Sequence, residues 1–174
     1  MFFLHVPTAI EDPDVDMFVW VDERRGAGEV ALIDNRHLGV LYVQLSLVSK
    51  EDCAVVADAI SAAVCLATVD QLRDEAARPD ADGAALVKLG LLGASAPDDT
   101  TTRLVVEGIA SADAVVRERA IYAAFLLKWP AFQQPLAAAL EREEREDLRR
   151  MLEAAATVCD PAWPGFDPGD VPPP

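Results

Sequence analysis

Pro97-Asp98-Asp99-Thr100-Thr101-Thr102-Arg103-Leu104-Val105-Val106-Glu107-Gly108 reads as a turn that delivers the chain into a helix, with Leu104, Val105 and Gly108 carrying that helix to Ser111. Leu104 stands 32 residues after Leu72 and 32 before Leu136, and all three lie in Ala-rich, helix-forming stretches. A period of this size is expected of stacked helical hairpins, because one such unit cannot bury its apolar face without its neighbours. The fold class that follows is α+β, mainly α. A small antiparallel β-sheet is expected over residues 1–48, helical repeats over 49–158 and a proline-rich extended tail over 159–174.

Working outward, the first helix begins at Ser49, whose side chain caps a start rich in acidic residues, and turns Val56, Ala59, Ile60 and Ala63 to one face. A second starts at Thr68 with Gln71 three residues later as a capping box, completing a first hairpin. The next hairpin joins a helix from Asp80 or Asp82, striped by Leu86, Leu89, Gly90 and Gly93, to the Leu104 helix. A third begins at Asp113, buries Ala120, Ala123, Ala124 and Leu127, breaks at Trp129-Pro130 and resumes through Leu136 and Leu140. A last helix from about Glu144 to Val158 has no partner in this scheme and caps the array through Leu148, Met151, Leu152 and Ala155. The tail beyond Asp160 is too rich in proline for a helix, and offers Trp163 or Phe166 for docking.

Before Ser49 the pattern changes. Phe2–Val6, Met17–Val21, Val30–Ile33 and Val40–Leu47 are short runs rich in β-branched and aromatic residues, separated by Pro, Gly, Asp and Asn. Glu23–Gly28 and Asn35–Gly39 are the expected hairpin loops. So small a sheet is marginal alone, so one face is expected to pack on the first helices.

The 174 residues carry 30 acidic against 15 basic side chains, a formal charge of -15, which disfavours broad contact with nucleic acid or anionic lipid and favours a basic protein as partner. Cys53, Cys65 and Cys159 are odd in number and lack CxxC spacing, so they read as buried small hydrophobes of a reducing, cytoplasmic compartment. The apolar start Met1–Leu4 lacks a basic region, and no uncharged run approaches a membrane span.

Asp113-Ala114-Val115-Val116-Arg117-Glu118-Arg119-Ala120, followed by Ala123-Ala124, resembles the Asp-x-x-Val-Arg-x-x-Ala pattern of HEAT-like (armadillo-type) repeats. The resemblance covers residues 50–157 in outline and one unit in detail. It implies a protein-binding scaffold in which Asp113 and Arg117 tie adjacent repeats together.

Chemistry-bearing patterns are few. Asp12, Asp14, Asp16 and Glu23 stand at positions 1, 3, 5 and 12 of a calcium loop with Val19 at position 8, but Met17 replaces the glycine of the sharp turn and Phe18–Val21 reads as strand. An acidic turn before a strand is the favoured reading. His5 and His37 lack zinc spacing, and no nucleophile elbow accompanies the cysteines. Glu141–Arg150 reads as an exposed helical face with Glu141 and Arg145, and Glu146 and Arg150, paired at i, i+4.

The functional expectation is therefore a non-enzymatic, cofactor-free, acidic binding module for a basic protein, for example an immunity-type inhibitor of a toxin domain. Its alternatives are a regulatory or assembly subunit, or a metal-dependent regulator or enzyme using the N-terminal aspartates. Trp129 and Phe132 are the expected surface anchors, with Asp98, Asp99, Glu141 and Glu144 supplying negative charge.

Overall fold

A computed structural model gives the fold for residues 3–5, 13–22, 28–47, 49–93 and 97–163, the described residues. The chain forms two compact units, Met1–Ala67 and Thr68–Pro174. The first helix thus falls with the sheet and not with the helices that follow.

In the first unit β1 (Phe3–His5), β2 (Val15–Asp22), β3 (Gly28–Asn35) and β4 (Val40–Ser46) form an antiparallel sheet in that order. Residues directly opposite share a face. Val19 faces Ala31, and Met17 faces Ile33, which faces Tyr42; Val19, Ala31 and Ile33 are buried together there. The middle of the other face is apolar as well, with Phe18 opposite Leu32 and Leu32 opposite Val43, while Asp16 opposite Asp34, itself opposite Leu41, brings charge to one end of it. The β3–β4 turn is held by Asn35 Oδ1, which accepts from the Leu38 N–H at 2.9 Å, and by Gly39 at φ 69°, a left-handed conformation that glycine adopts without steric cost.

Helix α1 (Lys50–Ala63) starts as expected, with the Ser49 hydroxyl accepting from the Asp52 N–H at 3.0 Å. Its expected inward face does not form. Ala59 and Ala63 are exposed, Val56 and Ile60 are half-buried, and no residue of the helix is buried. The stripe contains two alanines, whose methyl groups remove too little apolar surface from water to hold a helix down.

The second unit contains α2 (Val69–Ala76), α3 (Ala84–Leu91), α4 (Asp99–Ile109), α5 (Ala114–Leu127), a 3₁₀ turn (Pro130–Phe132), α6 (Gln133–Leu140) and α7 (Glu146–Val158). Leu72, Leu104 and Leu136 are buried on α2, α4 and α6. The expected hairpin frame is displaced by one helix. Sequential packing joins α2 to α3, α4 to α5 and α6 to α7, while α3, α5 and α7 form one row and α2, α4 and α6 another. Helix α7 is therefore packed on α5 and α6 instead of standing alone as a cap. Every inner helix buries residues toward two neighbours, so apolar periodicity alone does not distinguish its hairpin partner from its row neighbour.

Small residues set the closeness of these contacts. A Cβ on Gly108 would lie 2.7 Å from Ala120 Cβ and 2.8 Å from Leu86 Cδ1, and one on Gly90 would lie 3.1 Å from Ala123 Cα. Gly93 does not join that stripe: it is exposed at φ 54° just beyond α3, where it ends the helix. Between α5 and α6, Lys128 takes φ 55° and Pro130 opens the 3₁₀ turn, which is the break expected at Trp129-Pro130.

No helix among the described residues is long and apolar enough to cross a membrane.

Candidate partner-binding surface

Three turns lie along one edge of the helical unit: 77–83 between α2 and α3, 110–113 between α4 and α5, and 141–145 between α6 and α7. Arginines fasten each of them. Arg119, buried on α5, donates from Nη1 to the Asp82 carbonyl at 3.0 Å and pairs with the Asp82 carboxylate at 2.8 Å. Arg117, two residues earlier, donates from Nη1 to the Ser111 and Ala112 carbonyls at 3.0 and 2.9 Å, and from Nε to Glu143 Oε2 at 2.9 Å. Arg149 of α7 stands 32 residues after Arg117 and reaches the Leu140 and Glu143 carbonyls, both at 3.0 Å.

Asp113 accepts the Val115 N–H at 2.8 Å and so caps its own helix, while Arg117 alone of that pair spans two turns. On the opposite edge, Asp98 caps α4 by accepting the Thr101 N–H at 2.8 Å and forms an ion pair with Arg73 of α2 at 2.8 Å.

These contacts shape the carboxylates. The Ala84 N–H bonded to Asp82, with Arg119 beside it, outweighs burial and holds that carboxyl below its ordinary range. At Asp98 and Glu143 burial is the largest influence and pushes upward. It is overcome at Asp98 by the Thr101 N–H and hydroxyl with Arg73, and at Glu143 by the Arg145 N–H with Arg117, so both end lowered.

Two grooves lie between successive turns. One, of about 440 Å³, has an apolar floor of Ala76, Leu86, Leu104 and Val116 and a rim carrying Asp80, Asp82, Glu107 and Asp113, with Arg78 the one basic residue lining it. The other, of about 470 Å³, lies over Ile109 and Ala139 and mixes Glu143 and Glu144 with Arg117, Arg142 and Arg145. Sequence reading did not single out the first groove. Asp80 and Asp82 stand in one turn and Asp113 in another, and only the packing of α2–α3 against α4–α5 brings them to a common rim.

The expected site residues divide. Trp129 and Phe132 are not surface anchors: they are 4% and 0% exposed, with rings stacked at 5.6 Å and 13°. The 3₁₀ turn folds them inward, where alanine-lined helices leave room for two large rings. Tyr122 and Phe125 remain at the surface instead, with ring centroids 6.3 Å apart, beside Ile121, Met151 and Ala154 around an apolar recess of about 240 Å³. Asp98 is half-buried in its cap and ion pair, whereas Asp99, Glu141 and Glu144 are exposed.

Glu141 does not pair with Arg145. The 141–145 segment is a turn, held by Glu143 as it accepts from both Arg117 and the Arg145 N–H, and Arg145 pairs with Asp147. The Glu146–Arg150 pair does form, at 3.2 Å.

Asp12 and Glu23 of the candidate calcium loop lie outside the described residues. Asp14 lies in an exposed turn, and Asp16 pairs with Arg36 at 2.6 Å within the sheet. Among the described residues no three His, Cys, Asp or Glu side chains converge as a cation site would require. His37 is exposed in the β3–β4 turn and His5 belongs to β1. Of the cysteines only Cys159 is buried, and burial pushes its thiol up to about 12; Cys53 is half-buried and Cys65 exposed, contrary to their expected placement in a core. Trp163 lies beside Lys128, whose ammonium is 5.8 Å from the ring centroid, while Phe166 is outside the described residues.

No family model matches the chain, no curated protein matches it, and no solved structure matches it.

Proposed function

We propose that the chain is a non-enzymatic, cofactor-free protein-interaction module whose helical unit, a HEAT-like stack of hairpins, receives a basic segment of a partner protein. The observation that carries this reading is the groove between the turns 77–83 and 110–113. Its apolar floor suits the methylene stem of a lysine or arginine, and the Asp80 and Asp113 carboxylates on its rim suit the charged head, Asp82 and Glu107 being paired with Arg119 and Arg103. Exposed Asp99, Glu141 and Glu144, within an overall charge of -15, add the long-range field that steers a basic partner.

An immunity-type inhibitor of a toxin domain in the cytoplasm fits this description, as does a regulatory or assembly subunit. Affinity capture from the source cell separates the two: a basic toxin domain recovered in a one-to-one complex supports inhibition, and a large stable assembly supports the subunit role. Binding to the captured partner must weaken as ionic strength rises. Asp80→Asn with Asp113→Asn should slow association while leaving the helical content intact. Affinity indifferent to both salt and these substitutions overturns the reading. The same field argues against nucleic acid as a partner. Use of the N-terminal aspartates for a cation is disfavoured because Arg36 already neutralises Asp16.

A further inference from the structure

Strand β4 is the edge of its sheet, and its Val40-Leu41-Tyr42-Val43-Gln44-Leu45-Ser46 has no charge and no proline. Its register against β3 runs one-to-one from Glu29 and Ser46 to Asn35 and Val40, so it has no bulge. Lysines, prolines and bulges are how soluble proteins stop an edge strand from pairing with another chain. β4 uses none of them. Outside the sheet, the described residues are helices and turns and offer no strand to cover it. Helix α1, which follows and touches β4, buries none of its residues. The sheet face that β4 shares with Phe18 exposes large apolar side chains, Leu41 at 61% and Phe18 at 47%, with Asp34 beside Leu41.

We propose that β4 pairs antiparallel with β4 of a second copy, about a twofold axis at Val43, to make one eight-stranded sheet. Several features select a second copy as the occupant. An open edge recognises extended backbone and little else, and in an isologous contact each copy supplies the strand the other lacks. A chain of charge -15 can approach itself only along a stretch free of charge, which β4 provides. Pairing about Val43 sets Leu41 of each copy opposite Leu45 of the other on the apolar face.

Sedimentation of the full chain over a wide concentration range should show a monomer–dimer equilibrium. Leu41→Lys with Leu45→Lys, which places like charges opposite one another twice, should raise the dissociation constant at least about tenfold with the far-ultraviolet spectrum unchanged. In a Cys53→Ser, Cys65→Ser background, Val43→Cys should form an intermolecular disulfide, because Cα atoms facing across an antiparallel pair stand about 4.5–5.5 Å apart. Val55→Cys on exposed α1 should not. A wild-type chain that stays monomeric, a dimer indifferent to the lysines, or crosslinking at Val55→Cys equal to that at Val43→Cys overturns the proposal.

Discussion

Arg117 Nε lies 2.9 Å from Glu143 Oε2, so a residue in the first turn of α5 holds the turn that joins α6 to α7. The contact crosses from one helical hairpin to the next, and Arg117 also satisfies two carbonyls of the turn before its own helix. Truncating such a side chain removes charge-assisted hydrogen bonds and leaves Glu143 without its cation. Arg117→Ala should therefore cost about 2 kcal/mol, measured by urea unfolding. Arg149→Ala, one period later, should cost a similar amount. A double-mutant cycle of Arg117→Ala with Glu143→Gln should return a coupling clear of zero; simple additivity would mean the two groups are merely adjacent.

Acid should loosen the helical unit. Asp82, Asp98 and Glu143 have carboxyls lowered in the folded state, so the unfolded chain binds protons first as pH falls. Their contribution is complete above the ordinary carboxylate range and declines as pH drops through about 4 toward the folded values. Urea midpoints should be flat near neutrality and fall below about pH 4.5, and Asp98→Asn should flatten the fall. A slope unchanged in that variant would place the linkage elsewhere.

Base acts through a different group. The buried Cys159 thiol is pushed up to about 12, whereas an unfolded thiol ionises near 8.5. Above that value the unfolded state loses a proton that the folded state keeps, so stability should fall by roughly 1 kcal/mol per pH unit and the loss should be absent in Cys159→Ala. In the native protein, a thiol reagent should label Cys65 at once and Cys159 only on unfolding.

At Gly108 an added methyl group meets Ala120 and Leu86 at distances no real Cβ adopts. Gly108→Ala should destabilise by about 1–3 kcal/mol despite the better helix propensity of alanine. Gly93→Asn, at an open left-handed position, should be nearly neutral. Calorimetry of the two variants compares close approach with helix termination.

Phe132→Ala should cost about 3–5 kcal/mol, since the ring is fully buried against Trp129. Phe125→Ala, at the surface, should cost far less. A Phe132 variant that loses partner binding at full stability would restore that residue to the surface role its sequence context suggests.

Signals carried by a few neighbouring residues were legible without coordinates. The Thr68 capping box forms with both reciprocal bonds, at 2.9 and 3.2 Å, and Ser49 and Asp113 cap their helices. The strands fall where β-branched and aromatic runs placed them, because turn residues bound each one locally. The groove was not legible, since its rim draws on residues from separate turns.

By itself, then, the order of residues determined the α+β class, the number of strands and helices within narrow bounds, and the burial of Leu72, Leu104 and Leu136, all of which follow from short-range hydrogen bonding and apolar periodicity. Only the tertiary structure decided which helix pairs with which, that Trp129 and Phe132 turn inward, and that Glu143 takes Arg117 as its partner while Arg145 turns to Asp147 instead of Glu141. Those outcomes depend on volume and hydrogen-bond partners supplied by distant segments, and a linear pattern does not contain them.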